Sequence, residues 1–421
     1  MSDAHSIPHL LLVLAAVLVS SKLLGALAQR AGQPAVLGEL LAGVLLGASV
    51  FGLLDPKDPV IAALSELGVI VLLFEIGLNT DLRSMTRVLG TATTVAIVGV
   101  VLPLVFGYAA VVGLLGLDRI PALVCAAALT ATSVGISARV LSDIGQLKSR
   151  EGQVVLGAAV LDDIAGLVVL SVVTGVVTGG SWSVAGVIMT TIIAVGFVAA
   201  AVTVGPFLAR PIFSSIQSIR APGTLAVVAF AFALVLSSLA AGIGSAMILG
   251  AFAAGMVLNS TVERVEIERA TTTIGHLLVP IFFATVGAAV KLSAFTEKST
   301  LAVAGLLVFV GVVGKFAAAF APWWFHGNKP LIGVAMIPRG EVGLIFAQMG
   351  LATGAISPSL YSALTLMVLA TTFLAPPVLA RVGAKGAGRG EVRDDIGIDD
   401  LVAGDWRQTT PRSVPDPGTS D

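Results

Sequence analysis

Charge is scarce in this sequence. Only 12% of its 421 residues are Asp, Glu, Lys or Arg, whereas 56% are apolar, and the mean hydropathy is +1.00. Soluble domains carry about 25% charged residues, so an ordinary soluble fold is excluded and a lipid bilayer is expected around the protein. The net charge of −1 gives no indication of a nucleic-acid partner.

Cysteine is nearly absent as well. Cys125 is the single cysteine and lies within an apolar run, which excludes a disulfide framework and a cysteine metal cluster. The four histidines lack metal-ligand spacing. The segment "GVVGKF" at Gly311–Phe316 is not a phosphate loop, because its first glycine is misplaced and Phe replaces Ser or Thr. We therefore expect no cofactor and no nucleotide, and no process driven by ATP hydrolysis.

What the sequence has instead is a series of long apolar runs. A helix needs about 20 apolar residues to cross a bilayer, and these runs are far too long for barrel strands. No basic segment precedes the first run, so we interpret it as a retained helix rather than a signal peptide. The sequence predicts an all-α polytopic membrane protein with about thirteen transmembrane helices, at residues 8–28, 35–52, 60–78, 89–115, 121–140, 153–178, 184–208, 222–240, 244–259, 273–290, 299–324, 331–350 and 358–381.

The Lys and Arg residues of the loops indicate the orientation. Cytoplasmic loops are enriched in these residues, and an outside N-terminus leaves only Lys57, Arg119, Lys291 and Lys298 on the outer side. We therefore predict that the N-terminus is outside and that residues 382–421 are cytoplasmic. That C-terminal segment is polar, acidic and rich in Gly and Pro, which predicts a disordered tail.

Two neighbouring spans recur later in the chain. "PAVLGELLAGVLLG" (Pro34–Gly47) and "AMILGAFAAGMVLN" (Ala246–Asn259) share five identities at an offset of 212 residues. The spans that follow them share weaker identities at an offset of 210. Each pair lies seven spans apart, so its members cross the membrane in opposite directions, as in the inverted repeats of many secondary transporters. The alternative is independent small-residue packing, which occurs in any membrane bundle.

Two spans that also lie seven apart carry interruptions. "LTATSVGISARVL" (Leu129–Leu141) contains a run of hydroxyl side chains and glycine, and "MIPRGEVGLI" (Met336–Ile345) contains Pro338 and Gly340 near the middle of its span. Proline removes a backbone donor and breaks a helix. Unwound backbone is tolerated at that depth only where it contacts protein or lines a cavity. We therefore predict two broken helices that meet in a transport site.

Five ionisable residues are predicted to lie inside spans. A charge at the bilayer centre costs on the order of 3 kcal/mol, so such residues usually face a partner or a pathway. Asp162 and Asp163 are about 100° apart around one helix, so one can take a structural partner such as Lys315 while the other faces an ion. We predict that this cluster binds H⁺ and a cation in turn. Arg339 and Glu341 either join it or pair with each other around the second break.

These residues resemble a known family. The stretches "LDDIAGLVVLSV", "LGVIVLLFEIGLNTDL" and "IPRGEVGLI", together with the repeated segment and Lys315, are similar to monovalent cation:proton antiporters of family 2, of the NapA and Kef types. The resemblance spans residues 8–381. It implies a homodimer with a scaffold (about 8–78 and 222–290), a linker helix (about 184–208) and a core (about 89–178 and 299–381) in which the two broken helices cross. It also implies alternating access, with the core sliding against the scaffold.

The resemblance also implies roles for individual residues. Asp163 matches the aspartate that takes Na⁺ or H⁺ in turn, and Asp162 matches a neighbour that pairs with the lysine found here as Lys315. Glu341 matches a buried glutamate of the second broken helix, beside Arg339. Oxygen ligands are expected from the first broken helix, at Thr130, Thr132 and Ser133.

A sodium/proton antiporter of the bacterial inner membrane is the function that we predict. Two aspartates and a lysine are more similar to electrogenic Na⁺ antiporters than to Kef-type potassium systems, and no nucleotide-binding domain follows the last span. A K⁺/H⁺ antiporter remains an alternative, and a cation channel is the alternative from another class. An intramembrane hydrolase is the weakest alternative, because adjacent aspartates on one helix cannot clamp a peptide.

Overall fold

Helices form the whole regular structure of the part of the chain that the computed structural model describes, which is residues 7–80, 82–177, 184–217, 223–290 and 298–387. The prediction of an all-α membrane fold is confirmed. The helices are α1 (Ile7–Arg30), α2 (Ala35–Leu46), α3 (Pro59–Leu78), α4 (Leu82–Leu115), α5 (Arg119–Ala128), α6 (Val134–Asp143), α7 (Arg150–Val177), α8 (Val184–Gln217), α9 (Thr224–Gly242), α10 (Met247–Asn259), α11 (Arg264–Ala288), α12 (Lys298–Ala318), α13 (Lys329–Ala335), α14 (Glu341–Ala352) and α15 (Pro358–Ala387).

Nine of the helices within these described ranges are long and apolar enough to cross a membrane unaided. Four more are apolar but shorter: α2, α5, α10 and the part of α14 from Val342. If α5 with α6, and α13 with α14, are each taken as one interrupted span, the helices follow the order of the predicted spans. The total of thirteen crossings stays a prediction.

Several helix ends differ from the predicted bounds. α2 ends at Leu46 rather than near 52, because the chain turns at Gly52 (φ 64°) and Leu54 forms a bridge with Gly47. α11 begins at Arg264 rather than near 273, and α15 continues to Ala387 rather than ending at 381. Hydropathy locates the apolar part of a helix, whereas charged first and last turns can extend the same helix beyond the hydrocarbon. The rest of the predicted tail, 388–421, lies outside the described residues.

Contacts between helices separate into two groups. The first group contains α1, α2, α3, α9, α10 and α11, and α3 packs most extensively against α10 and α11. The second contains α4 to α7 and α12 to α15, with α4 against α7 and α12 at its centre. α8 contacts α7, α9 and α10 and so touches both groups. The groups coincide with the predicted scaffold and core, but the assignment of these as functional domains stays a prediction.

The repeated segments make equivalent backbone contacts within the first group. Gly43 of α2 lies against the backbone of Ala284, and Gly255 of α10 lies against the backbone of Phe74. Gly255 is the equivalent of Gly43 in the repeat, and Ala284 is the equivalent of Phe74. A Cβ at either glycine would overlap a carbonyl oxygen. Gly77 against Phe252 and Gly287 against Leu40 form a second pair related by the same offsets. The internal repeat therefore extends from sequence identities to contacts.

Candidate ion-binding site

The two interruptions predicted from the sequence lie directly against each other. α5 ends at Ala128 and α6 begins at Val134, while α13 ends at Ala335 and α14 begins at Glu341. The Ser133 amide donates to the Pro338 carbonyl at 2.8 Å, and the Thr132 hydroxyl donates to the Met336 carbonyl at 3.3 Å. The Ser137 hydroxyl donates to the Ala335 carbonyl. Each unwound segment thus satisfies backbone groups of the other, as a water-poor interior requires.

The Arg339 side chain also stabilises the crossing of the two breaks. Its guanidinium donates to the carbonyl of Ala131 at 2.7 Å and to that of Gly311 on α12 at 3.1 Å, with a longer contact of 3.4 Å to Thr130. The side chain is fully buried. A helix C-terminus carries partial negative charge on its free carbonyls, so a cation just beyond the end of α5 is stabilised there. Arg339 therefore links the first break, α12 and the second break.

Lys315 and Asp162 form a fully buried ion pair. The Lys315 ammonium donates to both carboxylate oxygens of Asp162, at 2.8 and 2.9 Å. Asp162 is 1% exposed and Lys315 is 0% exposed. Gly99 of α4 leaves room for the lysine stem, because a Cβ there would lie 3.4 Å from its Cδ. The pair joins α7 to α12.

Asp163, one residue further along α7, lies at a different place. It lines a small cavity of about 10 Å³ together with Thr132, Ser133 and Gly340 of the two breaks. The opposite wall comes from the first group of helices, with Val69 and Leu73 of α3, Ile248 of α10 and Phe282 of α11. The space admits about one water-sized sphere. The adjacent aspartates therefore have separate surroundings, one facing a lysine and the other facing the boundary between the two groups.

The N-termini of two half-helices lie beside this cavity. Ser133 precedes α6 and Gly340 precedes α14, and both residues line it. Helix N-termini carry partial positive charge, which attracts a nearby acidic side chain. Hydroxyl oxygens at the same place offer lone pairs to a hard cation. The site can therefore hold a carboxylate that is charged, protonated or bound to a small cation.

Two of the residues singled out from the sequence are placed less centrally. The hydroxyl of Thr130 donates to the Ala127 carbonyl at 2.8 Å, and Thr130 is not among the residues around the cavity. Glu341 is the first residue of α14, but its side chain lies outside the described residues. Ion binding by Thr130 and a charged role for Glu341 therefore stay predictions.

Two features were not predicted from the sequence. The contacts of Arg339 with carbonyls of the first break could not be predicted without knowing that the two breaks cross. The general signal for them is an arginine beside one helix break in a fold that also contains a second break, whose carbonyls are free to accept hydrogen bonds. Thr372 of α15 donates to the Arg339 carbonyl at 2.6 Å and is fully buried. Its hydroxyl resembles many others in apolar helices, so nothing in the sequence distinguishes it.

Two crossed, interrupted helices with buried acids at their junction, within a bundle of membrane-spanning helices, define a secondary transporter rather than an enzyme. Comparison with known proteins agrees. A family model described as "Sodium/hydrogen exchanger, transmembrane" matches residues 14–385. The chain belongs to this sodium/hydrogen exchanger family, and the predicted resemblance to cation:proton antiporters is confirmed.

Individual relatives support the same assignment. The High-affinity Na⁺/H⁺ antiporter NhaS3 of Synechocystis is 40% identical over 422 aligned residues, which cover 89% of this chain and 92% of that protein. The Na⁺/H⁺-K⁺ antiporter GerN of Bacillus cereus is 32% identical, covering 87% and 94%. The solved sodium proton antiporter MjNhaP1 of Methanocaldococcus jannaschii has a TM-score of 0.66 at 17% identity, covering 90% of this chain and all of that one, and shows a common fold.

Proposed function

We propose that this protein exchanges Na⁺ for H⁺ across the membrane and that the Asp163 carboxylate holds the two ions in turn. The observation that carries the proposal is the cavity at the crossing, because Asp163 lines it together with the hydroxyl residues Thr132 and Ser133 and beside two helix N-termini. A proton and a Na⁺ ion compete for the same carboxylate. Binding one therefore releases the other, which is the coupling that exchange requires.

The neighbouring residues divide the remaining tasks. Thr132 already donates its hydroxyl hydrogen to Met336, so the lone pairs of its oxygen are directed elsewhere and can accept a cation. Ser133 and Asp163 complete the proposed oxygen ligands. Asp162 is neutralised by Lys315, so it does not compete for the ion in this state. Because Lys315 can release a proton if that pair opens, more than one proton can exchange for each Na⁺, and transport is electrogenic.

The position of the cavity suggests how the ion crosses. Its walls come from α7 and the two breaks on one side and from α3, α10 and α11 on the other. Few helices join the two groups directly, with contacts of α6 to α2 and α3 and of α15 to α2. We propose that the core slides along the scaffold and carries Asp163 from one side to the other. The same proposal includes a homodimer in a bacterial inner membrane, with an outside N-terminus and a cytoplasmic C-terminus.

Potassium is the second candidate ion. The name of GerN includes K⁺ as well as Na⁺, and oxygen ligands of this type accept either ion. A cation channel is not favoured, because family members are exchangers. Na⁺ is the main proposal, since it is the ion named for NhaS3, the relative with 40% identity.

The test uses the full chain in liposomes that contain a pH-sensitive dye and an imposed pH gradient. Addition of Na⁺ should dissipate the gradient, and the rate should change when valinomycin and K⁺ clamp the membrane potential. Asp163→Asn should abolish the signal, whereas Asp118→Asn, an exposed aspartate without a side-chain cap bond, should leave it unchanged. Dissipation with K⁺ alone would contradict Na⁺ as the substrate. Full exchange by folded Asp163→Asn protein would contradict the site.

A further inference from the structure

A second cavity lies away from the ion site and is lined by positive charge. It has a volume of about 390 Å³ and is bounded by Arg87 and Val88 of α4, Lys148 of the α6–α7 connection, and Arg150 and Gln153 of α7. Three of these five residues are cations and none is acidic. Arg87, Lys148 and Arg150 are exposed, so this is an open surface depression rather than an enclosed site.

The three cations are not matched by carboxylates within the described residues. The ion pairs found there join Arg139 with Glu39 and Asp143, and Lys315 with Asp162. The acid next to Arg150 in sequence, Glu151, accepts the Asn328 amide at 2.8 Å through Oε1. Concentrated positive charge attracts an anionic ligand, and this attraction is strongest where counter-charges of the protein are absent.

The backbone around the cavity is held firmly. The buried Gln153 amide donates to the Leu147 carbonyl at 3.1 Å, which ties the connection that carries Lys148 to the first turn of α7. The Ser149 hydroxyl accepts the Gly152 amide at 3.0 Å and thereby caps the same helix. A Cβ at Gly152 would overlap carbonyls of this connection. Lys148 and Arg150 are therefore presented by a preformed surface.

Exposed aromatic side chains border the same region. Trp323 is 79% exposed and Trp324 is 44% exposed, and both lie in the connection between α12 and α13. The Trp324 indole donates to Thr91 at 3.3 Å, one helical turn beyond Arg87 on α4. The Arg150 guanidinium lies 5.8 Å from the centre of the Phe325 ring. Tryptophan is enriched at the headgroup level of membranes, so this grouping places the cavity at that depth.

We propose that this basic cavity binds the phosphate group of an anionic phospholipid. The cations supply the attraction, and the adjacent tryptophans place the site where a headgroup, rather than a dissolved ion, is concentrated. The predicted orientation turns this end of α4 and α7 to the cytoplasm, where anionic lipids attract basic residues near the surface. The proposal does not depend on which cation the protein transports.

The test is a thermal-unfolding titration of delipidated full-length protein in a neutral detergent. Dioctanoyl phosphatidylglycerol is the probe, and dioctanoyl phosphatidylcholine and inorganic phosphate are the comparisons. Each surface cation should change the affinity about fivefold, equivalent to about 1 kcal/mol. The double variant Arg87→Gln/Lys148→Gln should therefore weaken phosphatidylglycerol binding about 25-fold. Arg150 is left intact, because its contact with Phe325 gives it a packing role.

Arg30→Gln provides the matched control, because Arg30 is an exposed cation at the end of α1, on the same predicted side. Its titration should equal that of the parent. Equal stabilisation by phosphatidylcholine, or an unchanged affinity in the double variant, would overturn the proposal. Stabilisation by inorganic phosphate at the same concentrations would overturn the lipid assignment and identify an anion site instead. Because unfolding is measured without transport, failure here is separate from failure of the ion-exchange proposal.

Discussion

Removal of Lys315 should destabilise the protein far more than removal of an exposed lysine. Lys315→Met leaves the Asp162 carboxylate, which is 1% exposed, without the ammonium group now 2.8 Å away. Breaking one side of a buried ion pair typically costs about 3–5 kcal/mol, because the remaining charge stays buried and unmatched. We therefore expect Lys315→Met to lower the free energy of unfolding by this amount. Lys22→Met, on the exposed side of α1, should change it by less than about 0.5 kcal/mol.

A double-mutant cycle separates the pair from its surroundings. Asp162→Asn alone leaves a buried ammonium and should cost as much as the lysine variant. Asp162→Asn/Lys315→Met leaves no unmatched charge, and replacing a buried pair in this way is often nearly neutral. The double variant should therefore be more stable than either single variant, by about 2 kcal/mol or more.

The measurement is the free energy of unfolding in mixed micelles with increasing SDS, followed by circular dichroism at a fixed pH. Strictly additive effects of the two single substitutions would refute the reasoning, because additivity means that the groups do not interact. A Lys315→Met variant as stable as Lys22→Met would refute it as well.

Three further outcomes are expected. Arg339→Lys should lower the free energy of unfolding by about 1.5–3 kcal/mol in the same assay, because one ammonium cannot reach both carbonyls that the guanidinium contacts. An unchanged value would contradict the role of Arg339 in linking the two breaks. Gly255→Ala should impair folding, since its Cβ would overlap the Phe74 carbonyl, and fluorescence-detected size-exclusion chromatography should show a smaller monodisperse peak. Gly242→Ala, whose Cβ would meet no atom within 4 Å, should behave as the parent. Thr132→Ala should raise the KM for Na⁺ about tenfold, as expected for about 1.4 kcal/mol of lost binding. Thr132→Ser keeps the hydroxyl and should restore the KM of the parent. Equal KM values in both variants would argue against a ligand role for Thr132.

The helices and the two breaks could be predicted because their signals are local. Apolar runs indicate where the chain crosses lipid, and Pro338 breaks a helix wherever that helix lies. The partner of Asp162 could also be predicted, since a buried carboxylate needs a counter-charge and few Lys or Arg residues fall inside the predicted spans. Helix ends such as that of α2 were harder to predict, because a glycine turn within an apolar run leaves the hydropathy unchanged.

The side of the Asp163 cavity that α3, α10 and α11 form could not be predicted from the residues themselves. Val69, Leu73 and Phe282 are ordinary apolar side chains of α3 and α11, and only the packing of these helices against the breaks brings them to Asp163. The acceptors of Arg339 were hidden for the same reason, since backbone carbonyls carry no sequence signal. Contacts between distant segments therefore could not be predicted where neither partner has distinctive chemistry.

The duplicated glycine contacts of the first group of helices bear on the speed of the proposed carrier. A difference of 1.4 kcal/mol between two orientations leaves the less stable one about tenfold less populated, and turnover falls when one orientation becomes a trap. Because Gly43 against Ala284 and Gly255 against Phe74 are the same contact made twice, the two repeated halves of the first group of helices are packed closely alike. If the halves face opposite sides of the membrane, a core that moves between them meets nearly the same support at each end. Under the proposed sliding movement, this equivalence would keep the two resting positions close in energy.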